Sequence, residues 1–326
     1  MKIMVSACLA GENCKYNGGN NRSEKVLRLM DGNECITVCP EQMGGLPTPR
    51  IPSEICGGVV TTRDGRIVDS AFREGAAKCL AIARQMQPDL IVLQSRSPSC
   101  GVKKRYDGSF SGTLTDGAGV TAQLLMENGF RVIDAEDLLV TERLFLRKWA
   151  ESDAEALYEY ARDPDVGPIA GWPPHKSAAE SLDVIRNVFC GPQAYAICLR
   201  TENRPIGAIE LKLNGHTDMT DRDDACELGY WLGKPFWGQG LMPEAVTEMI
   251  RHGFEDLGMH TIWCGYYDGN IRSKRVQEKC GFRYQWTTKD VDVPLMHEKR
   301  TGHVNCLTKE DWVAHSGKCA CAEGKL

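Results

Sequence analysis

The chain has no long apolar run. Nothing in its 326 residues approaches the roughly 18 consecutive apolar positions of a membrane span, so no membrane association is expected. It has no basic excess either. Against 39 Lys and Arg stand 44 Asp and Glu, a net charge of −5, which gives no support to nucleic-acid binding through bulk charge. A small basic groove, and with it a tRNA partner, stays open. The opening residues Met1-Lys2-Ile3-Met4-Val5 lack the apolar core of a signal peptide, and a cytoplasmic location is expected. Cysteine, by contrast, is plentiful. Fifteen cysteines in a reducing compartment are not expected to form disulfides, and an odd number prevents complete pairing within one chain. That excess directs attention to a metal site. The length predicts two domains. A hydrophobic fraction of 42% and a charged fraction of 25% are ordinary for a globular protein and exclude a disordered or fibrous one.

The first half reads as strands alternating with helices. Apolar runs at 2–7, 35–38, 90–93 and 130–133 predict strands, and Pro40 stops the second. Ser23 is placed to cap a helix over 23–29. Phe72, Ala76, Cys79, Leu80 and Ala83 recur at helical spacing, and 119–127 suits another helix. Between them, Gly44-Gly45, Pro47, Pro49, Pro52 and Gly57-Gly58 predict a long irregular loop, of a kind that is usually functional. This alternation implies a parallel sheet with right-handed crossovers. On that scheme Cys8 follows the first strand, Cys39 the second, and Cys100 lies in the loop after the third. All three then sit beyond the carboxyl ends of parallel strands, where open α/β sheets bind ligands. Cys35, Cys56 and Cys79 do not share that placement as clearly. Soft thiolates in such a group select an iron–sulfur cluster or zinc.

Several ordered blocks carry a resemblance. They are Ser6-Ala7-Cys8-Leu9-Ala10-Gly11, Cys14-Lys15-Tyr16-Asn17-Gly18, Val38-Cys39-Pro40-Glu41 with Gly44-Gly45-Leu46-Pro47-Thr48-Pro49-Arg50, Ser97-Pro98-Ser99-Cys100-Gly101, and Tyr106-Asp107-Gly108-Ser109-Phe110. Over residues 1–137 the chain resembles the bacterial thiouracil desulfurases, with Lys15 and Asn17 departing from the usual Arg and Asp. The resemblance implies a 4Fe–4S cluster held by Cys8, Cys39 and Cys100 with one iron left open, and Cys14 stands as an alternative fourth ligand. It also implies hydrolytic removal of sulfur from a thiolated pyrimidine or nucleoside, without net redox change. Glu41, two residues after a ligand, is the candidate base. Ser97 and Ser99 are candidates to hold the substrate or relay a proton, or else turn residues beside Pro98.

After Asp134-Ala135-Glu136-Asp137 the pattern changes. A strand over 141–147, helices over 153–161 and 181–189, and strands over 194–199, 205–213 and 225–232 lead into Gly233-Lys234-Pro235-Phe236-Trp237-Gly238-Gln239-Gly240. Ala245, Met249, Ile250, Gly253, Phe254 and Leu257 then predict a long helix, followed by a strand over 260–266, a helix over 273–280 and a strand over 282–286. A strand, a glycine-bearing loop and a helix start make an anion site, because helix N–H groups point at a phosphate and small residues let it approach.

Glu227-Leu228-Gly229-Tyr230-Trp231-Leu232, Trp237 to Ala245, Asn270-Ile271-Arg272-Ser273 and Lys279-Cys280-Gly281-Phe282 resemble the GNAT acyltransferases, in the branch that acetylates ribosomal-protein N-termini. Met242-Pro243 departs from the common Ala-Thr, and Pro is tolerated in a first helical turn. The resemblance implies acetyl-CoA as co-substrate, its pyrophosphate on Trp237, Gly238, Gln239, Gly240, Leu241 and Met242, with Asn270 also on the cofactor. Ser273 would protonate the departing thiolate, and Glu227 would act as base on the acceptor amine, directly or through water. His252 and His260 are expected as ordinary helix and strand residues, and the tail Cys319-Ala320-Cys321 as no metal site.

The expected fold is α/β throughout: a Rossmann-like parallel α/β domain over 1–137, a GNAT α+β mixed-sheet domain over 138–313, and a flexible tail over 314–326. The leading expectation is a bifunctional desulfurase and acetyltransferase. A redox- or metal-sensing first half that regulates the acetyltransferase, and a catalytically silent GNAT fold that delivers substrate, are the alternatives.

Overall fold

The computed structural model of the chain describes residues 1–320. They fold into two compact units, Met1–Phe145 with Arg200–Asn203, and Leu146–Leu199 with Arg204 onward.

The first unit is built on four parallel strands: β1 (Lys2–Ser6), β2 (Glu34–Val38), β5 (Leu90–Leu93) and β8 (Val132–Asp134). Their order is β2–β1–β5–β8, with Ile3 opposite both Cys35 and Leu90. The chain moves outward from β1 to β2, then crosses back to β5 on the other side. All four strands stay parallel, but the order in which they are added reverses between β1 and β5, the place where such sheets open a crevice. Ile3, Met4, Val5 and all of β5 are fully buried, as expected of strands covered on both faces. The covering helices are α1 (Glu24–Met30), the one-turn α2 (Pro40–Met43), α3 (Asp69–Met86) and α4 (Val120–Glu127). The stripe predicted on α3 is its buried face: Phe72, Ala76, Cys79, Leu80 and Ala83 all face the core.

The loop expected across 44–58 is less irregular than its composition suggests. It gives way to a hairpin of β3 (Ser53–Cys56) and β4 (Val59–Thr62). Gly57 and Gly58 form its two-residue turn with φ of +57° and +86°, a backbone that glycine adopts without strain. A second small hairpin, β6 (Lys104–Tyr106) with β7 (Leu114–Asp116), follows Cys100, and the short β9 (Leu139–Val140) follows β8.

In the second unit the strands run in the order β15–β16–β14–β13–β12–β11–β10. They are β10 (Leu144–Arg147), β11 (Ala194–Leu199), β12 (Pro205–Lys212), β13 (Ala225–Leu232), β14 (Thr261–Tyr267), β15 (Arg283–Val293) and β16 (Glu298–Thr308). Helices α5 (Ala154–Ala161), α6 (Ala178–Asn187), α7 (Leu241–Arg251) and α8 (Ile271–Lys279) pack on this sheet, and α7 runs on into a π-turn at His252–Asp256. β11/β12, β12/β13, β14/β16 and β15/β16 pair antiparallel, whereas β13 and β14 pair in parallel. That parallel pair is joined only at Ala225↔Thr261, Cys226↔Ile262 and Glu227↔Trp263. Beyond Glu227 the two strands part and leave a wedge between them. The segment expected as a tail from 314 onward begins inside helix α9 (Lys309–Ala320), and Cys321 lies outside the described residues. No described helix is long and apolar enough to cross a membrane.

Candidate functional site

β1 ends at Ser6, and one 3-10 turn, Ala7–Ala10, then carries Cys8 beyond the strand end. Gly11, with φ +97°, closes that turn, and the loop brings back Cys14. The buried thiol of Cys14 makes side-chain hydrogen-bonding contact with both Cys8 and Cys39. Cys39 Sγ also donates to the Cys14 carbonyl at 3.8 Å. Cys39 itself follows directly on β2 and precedes α2. Cys100 is buried against Ser6, its thiol in hydrogen-bonding contact with that hydroxyl and within electrostatic reach of Cys39. Ser6 Oγ accepts the Gln94 N–H at 3.0 Å, which fastens the ends of β1 and β5 together. The structure thus brings Cys8, Cys39 and Cys100 to one end of the sheet. It adds Cys14 in the middle of the group and Cys79, on the buried face of α3, within reach of Cys39 and Cys100.

These thiols are free, and the surroundings of Cys14, Cys39, Cys79 and Cys100 oppose ionisation. At Cys14 the hydrogen bond with Cys39 favours the thiolate, but the contact with Cys8 and burial outweigh it and push the group up to about 11. The contact with Cys14, and then burial, raise Cys39 far above an ordinary thiol. Burial raises Cys100 likewise, and pushes Cys79 up to about 12. Among the described residues no three Cys, His, Asp or Glu side chains close around one point as they would around a single ion. A cluster asks for something different, since each thiolate takes its own iron and the sulfurs stand apart. Soft thiol donors, Cys14 and Cys100 buried and Cys8 and Cys39 half-buried, none of them in a disulfide, fit such a group.

Glu41 lies in the first turn of α2. Its Oε2 accepts from Arg50 Nε at 2.6 Å, and both side chains are largely buried. The same guanidinium donates to the Cys14 carbonyl at 3.0 Å, to the Pro47 carbonyl at 3.2 Å and to Thr48 Oγ1 at 3.1 Å. Arg50 therefore ties the Cys14 loop to Glu41, a role that its place at the end of a Gly- and Pro-rich run did not disclose. Ser97 Oγ accepts the N–H groups of Ser99 and Cys100, each at 3.1 Å, and so shapes the turn that presents Cys100. Ser99 is fully buried, 2.8 Å from Thr121 Oγ1 of α4.

Two glycines set the position of α2. A Cβ on Gly75 would lie 1.9 Å from the Pro40 carbonyl oxygen, and one on Gly44 would lie 2.0 Å from that of Ala71. α2 and α3 meet backbone to backbone there. Gly75→Ala should force α2 outward at a cost of about 1–3 kcal/mol, lowering Tm and shifting Cys39 and Glu41 together. An unchanged Tm would mean that α2 is not held by this contact.

In the second unit, β13 runs into the loop Gly233–Gly240, and α7 follows. Gly238 and Gly240 both have φ of +77°. Leu241 and Met242 are buried, so the start of α7 offers its backbone rather than these side chains to the loop. Trp237 Nε1 donates to the Leu232 carbonyl at 2.7 Å, and the Arg272 guanidinium lies 4.0 Å from the Trp237 ring centre. Asn270 caps α8, its Oδ1 accepting the Ser273 N–H at 3.1 Å. Ser273 Oγ lies 3.1 Å from Tyr230 OH and accepts from Gln277 Nε2 at 3.1 Å. Burial holds the Tyr230 hydroxyl well above its ordinary value.

Glu227 is the last paired residue before the wedge. Its Oε1 accepts from Lys212 Nζ at 2.9 Å and its Oε2 from Thr217 Oγ1 at 2.5 Å. Two neighbours were not anticipated. Tyr230 lay in plain view within the Glu227–Leu232 motif. Glu210, on β12, is half-buried, and burial pushes its carboxyl above the usual range against the pull of Lys212. His252 is bonded at both ring nitrogens, to Asp256 and Gln193, each at 2.8 Å.

Comparison with known proteins matches the chain in two separate stretches. The family model for 2-thiouracil desulfurase matches residues 3–137, and that for an acetyltransferase (GNAT) domain matches 143–283. The uncharacterized protein YbbK of Bacillus subtilis is 42% identical over 146 residues, which cover 42% of this chain and 97% of YbbK. The ribosomal protein uS5-alanine N-acetyltransferase of Escherichia coli is 36% identical over 89 residues, 27% of this chain and 45% of that protein. Among solved structures, a [4Fe-4S]-dependent thiouracil desulfidase, TudS, is 36% identical, covering 42% of this chain and 91% of that one with a TM-score of 0.40. The chain belongs to the 2-thiouracil desulfurase family through its first half, and its second half matches the GNAT acetyltransferase domain model.

Proposed function

We propose that the chain is a cytoplasmic bifunctional enzyme. Residues 1–137 remove sulfur from a thiolated pyrimidine or nucleoside, and residues 138–313 transfer acetyl from acetyl-CoA to an amine. The observation that carries the first activity is the gathering of Cys8, Cys39 and Cys100 beyond the ends of β1, β2 and β5. These three thiolates would hold a 4Fe–4S cluster, with Cys14 as an alternative fourth ligand. When bound, a cluster with one iron not held by the protein supplies a Lewis acid for the thiocarbonyl sulfur. Glu41, steadied by Arg50 through Oε2, takes a proton from water through Oε1 as the water oxygen adds to the C=S carbon. A carbon–oxygen bond forms, the carbon–sulfur bond breaks, and sulfur leaves as sulfide with no net redox change. Ser97 acts by presenting Cys100, and Ser99 by fixing that loop to α4.

For the second activity, the pyrophosphate of acetyl-CoA sits against the backbone of Trp237–Met242, with Arg272 nearby adding positive charge. The acetyl thioester enters the wedge between β13 and β14, where amine and carbonyl are held together. Glu227 accepts the amine proton through water, since both its oxygens are already engaged. The amine nitrogen bonds to the acetyl carbon, the thiolate departs, and Ser273, braced by Tyr230 and Gln277, protonates it. The likeness to the uS5 acetyltransferase favours a protein N-terminus as acceptor.

The test of the first reading is anaerobic purification, measurement of iron and labile sulfide, and assay of sulfide release from 2-thiouracil and 4-thiouridine. Iron-replete protein that releases no sulfide from either would favour the sensing role. For the second, acetyl-CoA is titrated calorimetrically into the parent and into Gly240→Glu, which puts bulk and negative charge where the phosphates approach. Affinity should fall at least about 100-fold, equivalent to about 2.7 kcal/mol. Equal affinity would place the cofactor elsewhere, and no affinity in the parent would make this half a silent binding domain.

A further inference from the structure

The first unit contains a cavity of about 310 Å³ between α3, α4 and the β3–β4 hairpin. No cysteine lines it, so it is separate from the thiol site. Its floor is apolar, with Ile55 and Val120 among its residues, and its polar lining comprises Arg73, Arg105, Gln123 and Glu127. Three of these four are already engaged. Arg73 pairs with Asp69, and Gln123 Nε2 donates to Glu127 Oε1 at 2.8 Å. Arg105 differs. Its Nε is fully buried with no hydrogen-bond partner, and no described carboxylate lies within ion-pair distance of it. A buried guanidinium N–H left without an acceptor is rare in native proteins, and an oxyanion in the cavity would supply one. Gly117 makes room for that side chain, because a Cβ there would lie 3.0 Å from the Arg105 Nε. The volume falls at the small end of ligand cavities, which run from about 300 to 1,000 Å³.

We infer that this cavity is a second small-molecule site, which binds one flat ring carrying a single carboxylate or phosphate. The ring lies on the apolar floor and the oxyanion takes the Arg105 fork, whose planar donors match either group. The nearby Glu127, held by Gln123, disfavours ligands with further negative charge on the ring. The site is independent of the thiols and of the desulfurase reading.

The probes are benzoate, phenyl phosphate, inorganic phosphate and neutral benzamide, titrated calorimetrically into the full chain. Benzoate or phenyl phosphate should bind measurably, at least tenfold more tightly than benzamide or inorganic phosphate, and the better of the two identifies the oxyanion. Arg105→Gln should weaken that binding at least tenfold and Arg105→Lys less, whereas Cys39→Ala should leave it unchanged. Failure of the parent to bind either ring anion overturns the inference by itself, whether or not the variants fold. Equal affinity in the parent and in a folded Arg105→Gln overturns it too, as does inorganic phosphate binding as tightly as phenyl phosphate. Loss of binding in Cys39→Ala would assign the ligand to the thiol site instead.

Discussion

Alanine at Cys8, Cys39 or Cys100 is expected to abolish iron retention in anaerobically purified protein, one substitution at a time. The three lie beyond the ends of different strands of one parallel sheet, so none of them can stand in for another, and Cys14 is the thiol that bears separate testing. Acetyl-CoA titration on the same samples should match the parent, because its loop lies in the other unit, and unchanged circular dichroism separates loss of iron from loss of the first unit's fold. Cys14 and Cys79 make the comparison decisive. Cys79 sits on the buried face of α3, and Cys79→Ala should cost some packing but no iron. Cys14 lies in contact with two proposed ligands, so Cys14→Ala separates two arrangements. Iron retained means three ligands and an open position. Iron lost as fully as in Cys39→Ala means four ligands, and the open-iron chemistry then has no site.

Glu41→Gln should keep the iron and its visible absorption and lose sulfide release by about 10²–10⁴-fold, the usual cost of removing a general base. Arg50 provides the control. It holds Glu41 through one hydrogen bond, and it also reaches the Cys14 and Pro47 carbonyls and Thr48 Oγ1. Glutamine keeps an oxygen for Arg50 but cannot take a proton from water at neutral pH. If Glu41 served only to anchor Arg50, glutamine would preserve most activity, while Arg50→Gln would loosen the Cys14 loop and reduce iron content. Activity within a few-fold of the parent in Glu41→Gln removes Glu41 from the mechanism.

Much of this site is legible in the sequence, because strand ends can be read from apolar runs and cysteines are conspicuous. β5, β11 and β13 fall where alternation and turn residues place them. What is hidden depends on groups that meet across the fold. Cys79 looks like a core cysteine, and only the packing of α3 over β2 and β5 brings it within reach of Cys39. Ser99 carries no sign that it will face Thr121. Glu227 gives no hint that Lys212, on the adjacent strand, and Thr217 will occupy both its oxygens. The β3–β4 hairpin is masked by its own turn residues, since Pro and Gly mark breaks without showing how short the strands between them are. β16 and α9 follow β15, which is exposed along nearly all its length and offers no buried face for a period to report.

The contact of Gly75 with Pro40 has a consequence for the order in which the protein is made. Cys39 and Glu41 owe their place to a helix that leaves the ribosome well after them, and Cys100 emerges later still. A nascent chain that exposes Cys8, Cys14 and Cys39 holds reactive thiols with no sheet to organise them. Distant segments must close large loops before these groups meet, which is slow and costs chain entropy. Insertion of the proposed cluster would therefore belong after the first unit has closed around β5. Until then the cell's protection against oxidation, rather than the fold, has to keep those cysteines apart.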